Sequence, residues 1–139
     1  MQQRASFGAH DQELYGAWAR APRDLVFDEV GRADLADARD DIVALTADMG
    51  RYSDLHPFRD RHPDRFFNIG IAESNLVGVA AGLASSGKMS LIASFAAFIT
   101  CNGYDQLRMS VAYPRLNVKV VGSHAGISIG EDGEVDPVF

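Results

Sequence analysis

The stretch of sequence that decides the fold runs from residue 66 to residue 95 and reads FFNIGIAESNLVGVAAGLASSGKMSLIASF. A short apolar run at 66–69 opens it, a second at 89–95 closes it, and the segment 73–85 between them is apolar almost all round. Short apolar runs are typical of strands buried in a parallel sheet, and a helix that is apolar on most sides is expected to be buried on more than one side. The stretch therefore predicts a strand, a buried helix and a second, parallel strand.

The same pattern continues on both sides of this unit. Two further apolar runs, at 42–47 and 117–122, are predicted strands, and the spacing of apolar residues predicts a helix at 104–113. Alternating buried strands and helices predict an α/β domain with a parallel sheet. We place this domain at residues 22–139.

The remaining segments are less regular. Residues 1–21 are predicted to form an N-terminal arm and helix, and a further helix is predicted from Asp24 to the charged stretch 39–41. The segment 55–65, which contains Pro and Arg, is expected to be a surface helix or loop. Because the chain stops soon after the loop 126–133, we expect either a small domain or a sheet that a partner chain completes.

The composition is that of one globular domain. The chain has 139 residues, 47% of them hydrophobic, and a formal net charge of −6. This acidic balance argues against nucleic-acid binding and against binding to anionic membranes, and no apolar run approaches the length that spans a bilayer. The single cysteine excludes an internal disulfide framework and fits a reducing compartment, so a cytoplasmic location is expected.

Several polar and aromatic residues stand at or just beyond the ends of the predicted strands. They are Asp48, Glu73, Phe95, His124 and, in the glycine-rich loop after the fourth strand, Asp132. Ligands of parallel α/β sheets bind beyond the carboxyl ends of the strands. These residues are therefore candidates for a binding or catalytic site.

Glu73 is the most informative candidate, because it opens the apolar helix and has Ile69, Ile71 and Leu76 as neighbours in sequence. One interpretation is a first-turn glutamate that the helix dipole favours, as in many surface helices. The other is a functional carboxyl, because a carboxylate among apolar side chains is unfavourable unless it is hydrogen-bonded or protonated.

The other candidates also have two interpretations. Phe95 and Phe98 either pack in the core or line a cleft, since Phe98 lies where a helix should begin. His124 is either a hydrogen-bonded structural residue or part of a binding site. Cys101 is expected to be a small buried hydrophobe. The four histidines lack the mutual spacing of metal ligands, so no metal site is predicted in this chain.

In combination, these segments resemble the pyrimidine-binding domain of the transketolase family. The resemblance covers about residues 42–133 and is carried by NIGIAE, from Asn68 to Glu73, and by GSHAGISIGEDG at 122–133. It is greatest to the small subunit of split transketolases. The 1-deoxyxylulose-5-phosphate synthases and dehydrogenase beta subunits share the fold but fit the loop at His124 less well. The resemblance implies a three-layer sandwich built around the parallel sheet.

The resemblance also implies thiamine diphosphate as the cofactor. In the family, the glutamate that matches Glu73 bonds a ring nitrogen of the aminopyrimidine and favours its imino form, which takes the proton from the thiazolium carbon. By position, Phe95 and Phe98 would pack on the aminopyrimidine ring. Cys101 would stand in the same pocket wall, where the family often has a tyrosine. Asp48 matches an aspartate that lies near the cofactor.

Matching positions in the last segment imply contacts with a sugar-like substrate. His124 and Asp132 match residues that line the substrate channel and bind hydroxyls and phosphate. Where transketolases usually have a histidine that bonds the donor sugar, this chain has Asp136. This difference argues against an ordinary sugar-phosphate donor and leaves a specialised ketol transfer or another acyloin-type reaction open.

The family's diphosphate- and magnesium-binding domain carries a Gly-Asp-Gly motif that this sequence lacks. The resemblance therefore implies a partner subunit that binds the diphosphate and magnesium, and leaves room for another that supplies the C-terminal domain. The apolar helix at 73–85, with Gly78 and Gly82, is expected to pack at that interface or within the domain. The implied function is a transketolase-like transferase that is active only with its partners. The alternative is a non-catalytic module that binds the partner without turnover.

Overall fold

The computed structural model describes residues 29–50 and 55–125 of the chain. In this part, four strands form a sheet whose pairings are all parallel and whose spatial order is β2-β1-β3-β4. The strands are β1 (Ile42–Thr46), β2 (Phe66–Asn68), β3 (Met89–Phe95) and β4 (Val118–Ser123). The predicted parallel α/β sheet is confirmed, and each strand lies within one residue of its predicted bounds.

Helices connect the strands and cover both faces of the sheet. They are α1 (Glu29–Ala38), α2 (His56–Arg61), α3 (Glu73–Ser85), α4 (Ala96–Asn102) and α5 (Tyr104–Gln106), which continues as a π-helix over Leu107–Ala112. Helix α3 has the predicted bounds, and α5 with its π-helical continuation occupies the segment where one helix is predicted. Helix α4 begins just before Phe98, as expected. The predicted arm and helix at 1–21 lie outside the described residues.

The sheet separates two hydrophobic clusters, which gives the domain three layers. Successive residues of β1 point to opposite faces. Val43 and Leu45 belong to the cluster formed with α3. Ile42 and Ala44 belong to the cluster formed with α1 and α2. This two-sided burial explains why β1 is a continuous apolar run without alternation.

Helix α3 buries only one face within the described chain, which corrects the expectation of burial on more than one side. Leu76, Val77 and Ala80 are fully buried. In contrast, Gly78 and Gly82 are exposed, and a Cβ atom built on either would meet no atom within 4 Å. The helix is apolar all round in sequence because its exposed face carries small residues and not charged ones.

The segment 55–65 forms a short helix at the surface, one of the two expected alternatives, and it buries one apolar side that the sequence pattern did not indicate. Leu55 is 0% exposed and Phe58 1%, and both pack on the sheet in the cluster that contains Ala36 of α1. Charged residues in the same segment interrupt the apolar pattern, so the sequence alone does not indicate that one side of this short helix is buried. Arg65 fastens the segment to α1, because its guanidinium donates to the carbonyl oxygen of Ala36 at 3.0 Å and to that of Arg39 at 2.7 Å. Carbonyls at the end of a helix need such donors.

Candidate active site

The carboxyl ends of the strands bring the predicted site residues to one edge of the sheet. Thr46 at the end of β1 pairs with Asn68 of β2 and with Ala93 of β3, and Phe95 of β3 pairs with Ser123 of β4. The predicted site residues that the structure places at this edge are Asp48, Glu73, Phe95, Phe98 and His124. This is the position where parallel α/β sheets bind ligands.

Glu73 is the first residue of α3, yet its side chain is buried. It is 4% exposed, and the fully buried Ser94 of β3 donates a hydrogen bond of 3.0 Å from its hydroxyl to Oε1 of Glu73. Glu73 does stand in the first turn of the helix, but its burial contradicts the solvated position that a surface helix would give it. A buried carboxyl with one oxygen held by a hydroxyl can bond a polar ligand atom through its other oxygen.

The start of α3 is fixed by close packing against the junction of α4 and α5. Gly103 lies at this junction, and a Cβ there would come 2.7 Å from the carbonyl oxygen of Ile99 and 3.1 Å from Cγ2 of Val77. Only glycine allows so close an approach of the backbone. In addition, the hydroxyl of Ser74 donates a hydrogen bond to the carbonyl oxygen of Asn102. These contacts hold the beginning of α3 against the end of α4.

Three rings form an aromatic wall at the same edge: Phe95, Phe98 and His124. The ring centroids of Phe95 and Phe98 are 5.8 Å apart with an interplanar angle of 39°, and those of Phe95 and His124 are 4.6 Å apart with an angle of 48°. Such tilted contacts are typical of aromatic pairs. Phe98 is 40% exposed, so it is not a core residue. The aromatic wall therefore offers ring surface on which a planar ligand can pack.

His124 is both held by neighbours and open to solvent. Its Nδ1 lies 3.0 Å from the hydroxyl oxygen of Ser123, its ring packs on Phe95, and the residue is exposed. Its backbone has a φ of +56°, a region that few residues other than glycine adopt. The turn at His124 ends β4 and keeps the imidazole against the ring of Phe95.

Asp48 is the second residue after the end of β1 and has a φ of +62°. Its backbone N–H donates to Oδ1 of Asn68 at 3.0 Å, and Nδ2 of Asn68 donates to Oδ1 of Asp48 at 2.7 Å. Sequence pattern predicted neither Asn68 nor Ser94 as a site residue. Each of them is a polar residue next to the last position of a predicted buried strand. The ligand-binding edge of the sheet begins there, so this position was the signal in the sequence that pointed to both residues.

Cys101 is exposed, so its prediction as a small buried hydrophobe is wrong. It lies on α4 between Ile99, which is buried, and Gly103, which packs under α3. Residues two positions apart on a helix lie on nearly opposite sides. Cys101 therefore points away from the core at the last turn of α4.

The other predicted site residues, Asp132 and Asp136, lie outside the described residues. Among residues 29–50 and 55–125, no group of three or more His, Cys, Asp or Glu side chains is arranged to hold a metal ion. No helix in the same ranges has the length and apolarity needed to cross a membrane.

Comparison with known proteins identifies the family to which this fold and site belong. The family described as the transketolase pyrimidine-binding domain matches residues 30–136, which is most of the chain. The chain therefore belongs to the transketolase pyrimidine-binding domain family. Transketolases are thiamine-dependent enzymes, and the parallel α/β sheet described above is the fold of this family.

Several relatives are similar to this chain over about two thirds of its length. It is 46% identical over 94 residues to a putative transketolase C-terminal section of Methanocaldococcus jannaschii, covering 68% of this chain and 30% of the relative. It is 47% identical over 94 residues to the 6-deoxy-6-sulfo-D-fructose transketolase subunit SqwH of Clostridium sp., covering 68% and 29%. It is also 46% identical over 99 residues to 1-deoxy-D-xylulose-5-phosphate synthase of Mycolicibacterium vanbaalenii, covering 71% and 15%.

A solved structure shares both the fold and the sequence similarity. A split-gene transketolase, described as an inactive beta4 tetramer, matches with a TM-score of 0.61 and 42% identity over 67% of this chain and 31% of its own. The chain thus spans about a third or less of the length of these relatives.

Proposed function

We propose that this domain supplies the pyrimidine-binding half of a thiamine diphosphate site in a transketolase-like enzyme that transfers a ketol or related two-carbon unit. The observation that carries the proposal is the buried carboxyl of Glu73, held by Ser94 at the carboxyl edge of the sheet. A buried carboxyl fits the ring nitrogen of an aminopyrimidine, because it can share a proton with that nitrogen through its second oxygen. The exposed face of Phe98 fits the planar ring.

Each residue of the site has a role in this proposal. Thiamine diphosphate, when bound, supplies a thiazolium carbon that adds to a ketose carbonyl. Glu73 holds a proton at the pyrimidine ring nitrogen. Phe95 and Phe98 pack on the pyrimidine and exclude water from it. Asp48 faces the cofactor, and Cys101 contributes to the pocket wall beyond the aromatic wall, which its exposure permits.

Two further parts of the proposal concern the substrate. His124 is exposed at the aromatic wall, and its imidazole is assigned to contact the hydroxyls of a sugar-like molecule. Asp132 is assigned to the same task. Asp136, in the position of a donor-binding histidine, favours a specialised donor over an ordinary ketose phosphate, because a carboxylate repels a phosphate.

The diphosphate and its magnesium ion are assigned to a partner subunit, and a further chain could supply a C-terminal domain. Support comes from relatives that are named as a transketolase C-terminal section and as a transketolase subunit, since both names describe parts of an enzyme. The exposed small-residue face of α3 is a suitable contact surface for such a partner. Its glycines allow another backbone to approach closely.

The test is calorimetric binding of thiamine diphosphate with Mg²⁺ to the full chain alone, to its candidate partner alone and to the mixture. We expect binding in the mixture and loss of binding in a mixture that carries Glu73→Gln. Asp105→Asn, which changes an exposed carboxyl on α5, is the matched control and should bind as the wild type does. Tight binding by this chain alone would contradict the shared site, and a mixture that assembles but binds no cofactor would favour the non-catalytic module.

A further inference from the structure

We propose that Asn68 is a positioning residue, which holds the carboxylate of Asp48 toward the cofactor by locking Asp48 in a left-handed backbone conformation. The inference rests on the proposed function, because that function places Asp48 beside the cofactor. Its structural basis is a set of three hydrogen bonds that the Asn68 side chain makes at the carboxyl edge of the sheet.

The three bonds use both ends of one amide group. Oδ1 of Asn68 accepts the backbone N–H of Asp48 at 3.0 Å and the backbone N–H of Gly70 at 3.0 Å. Nδ2 of Asn68 donates to Oδ1 of Asp48 at 2.7 Å. We call this arrangement the Asn68 clasp. It fixes the backbone and the side chain of Asp48 at the same time.

Asp48 needs such a clasp because its conformation is unfavourable and its side chain is exposed. A φ of +62° lies in the left-handed region, which aspartate tolerates better than most residues but does not prefer. An exposed aspartate would otherwise exchange rapidly between rotamers. The clasp occupies Oδ1 of Asp48 and so restricts the rotamers of its carboxylate.

The clasp also connects Asp48 to the turn that leads into α3. Gly70 has a φ of +83°, and this turn precedes Glu73 by three residues. Because Asn68 bonds both Asp48 and Gly70, a displacement of one is transmitted to the other. A single side chain thus contacts both Asp48 and the turn that precedes Glu73.

Asparagine is the side chain that suits these three partners. Two N–H groups need an acceptor with two lone pairs, and the carboxylate of Asp48 needs a donor. An aspartate at 68 would accept both N–H groups but would place a second negative charge against Asp48. An aliphatic residue, typical of a buried strand, would provide neither group.

The first experiment measures backbone amide exchange by NMR in the full chain without cofactor. In Asn68→Ala we expect the amides of Asp48 and Gly70 to exchange about tenfold faster than in the wild type, since each loses one hydrogen bond. Thr46→Val is the matched control, because the Thr46 hydroxyl accepts the N–H of Met49 at 3.0 Å in the same loop. It should speed the exchange of Met49 and leave Asp48 and Gly70 unchanged.

The second experiment measures the Kd of thiamine diphosphate with Mg²⁺ for the complex of the full chain with its diphosphate-binding partner. Asn68→Ala and Asn68→Asp should each weaken binding by about tenfold, and Thr46→Val should not. Asn68→Asp should keep the protection of the Gly70 amide, because its carboxylate still accepts that N–H group. If Asn68→Ala fails to fold, the nearly isosteric Asn68→Asp variant still tests the proposal.

The outcomes separate this inference from the proposed function. Unchanged exchange of Asp48 in Asn68→Ala, or cofactor binding equal to wild type in both Asn68 variants, would overturn the positioning role. Equal losses in Asn68→Ala and Thr46→Val would show general loosening of the loop and would overturn it as well. If the wild-type complex binds no cofactor, the proposed function fails together with the role of Asp48 at the cofactor, whatever the exchange data show of the Asn68 clasp.

Discussion

The hydroxyl of Ser94 in β3 donates a 3.0 Å hydrogen bond to Oε1 of Glu73, the first residue of α3, 21 positions earlier in the chain. Both side chains are buried. A buried carboxylate oxygen without a donor destabilises a fold by about 1–3 kcal/mol, so this bond stabilises the domain. The same bond sets the direction of the Glu73 carboxyl, which makes the stability of the domain and the geometry of its site depend on one contact.

Replacement of Glu73 should abolish activity and leave assembly intact. We expect Glu73→Ala and Glu73→Gln to lower the turnover of the reconstituted complex by about 100-fold or more, the usual effect of removing a proton-transferring group. Turnover assays combined with sedimentation velocity check this. Glutamine keeps the shape of the side chain and an acceptor for Ser94, so the Gln variant should also keep wild-type stability. A complex that dissociates in both variants would make Glu73 a structural residue.

Removal of the Ser94 hydroxyl should have a smaller effect on activity and a measurable effect on stability. In Ser94→Ala, Oε1 of Glu73 stays buried without its donor, so we expect the free energy of unfolding to fall by about 1–3 kcal/mol. Urea denaturation of the full chain measures this. Ser94→Thr retains the hydroxyl and should recover most of the loss in turnover. Equal turnover in the Ala and Thr variants would show that the bond does not position Glu73.

Gly122 of β4 should not tolerate a side chain. A Cβ there would lie 3.0 Å from both Cα and Cβ of Ala96, the first residue of α4. The neighbour includes backbone and cannot move aside easily, so Gly122→Ala should destabilise the domain by about 1–3 kcal/mol. It should also displace the start of α4 and with it Phe98. Thermal unfolding monitors the first effect, and unchanged stability would show that α4 shifts at little cost.

Gly78, on the exposed face of α3, should tolerate a side chain, in contrast to Gly122. Nothing lies within 4 Å of a Cβ built there, and alanine favours a helix interior over glycine. Gly78→Ala should therefore raise the stability of the full chain alone by about 0.4–1 kcal/mol in urea denaturation. In the complex, the added methyl should weaken assembly if this face contacts the partner. A less stable chain would mean that Gly78 is already packed in the free protein.

Much of the fold could be predicted because burial on both faces of β1 leaves a continuous apolar run at 42–45. Glu73 could be predicted as an exceptional carboxyl because a charge among apolar neighbours is rare, and the structure shows it buried. The contacts of Ser94 and Asn68 could not be predicted from the sequence. Their partners lie 21 and 20 positions away, and local periodicity carries no information on such pairs. The exposure of Cys101 could not be predicted either, because it depends on which side of α4 packs against α3, and the sequence pattern does not indicate this.

Asp136 provides the test of substrate preference. A histidine there can donate a hydrogen bond to a donor hydroxyl, whereas an aspartate accepts hydrogen bonds and repels a phosphate. We therefore expect Asp136→His to raise kcat/KM for ketose phosphates by about tenfold relative to neutral ketoses, which corresponds to roughly 1.4 kcal/mol of transition-state binding. Asp105→His, which places the same residue on exposed α5, should leave the ratio unchanged. If the ratio is also unchanged in Asp136→His, residue 136 does not contact the donor, and its carboxylate is not what selects the substrate.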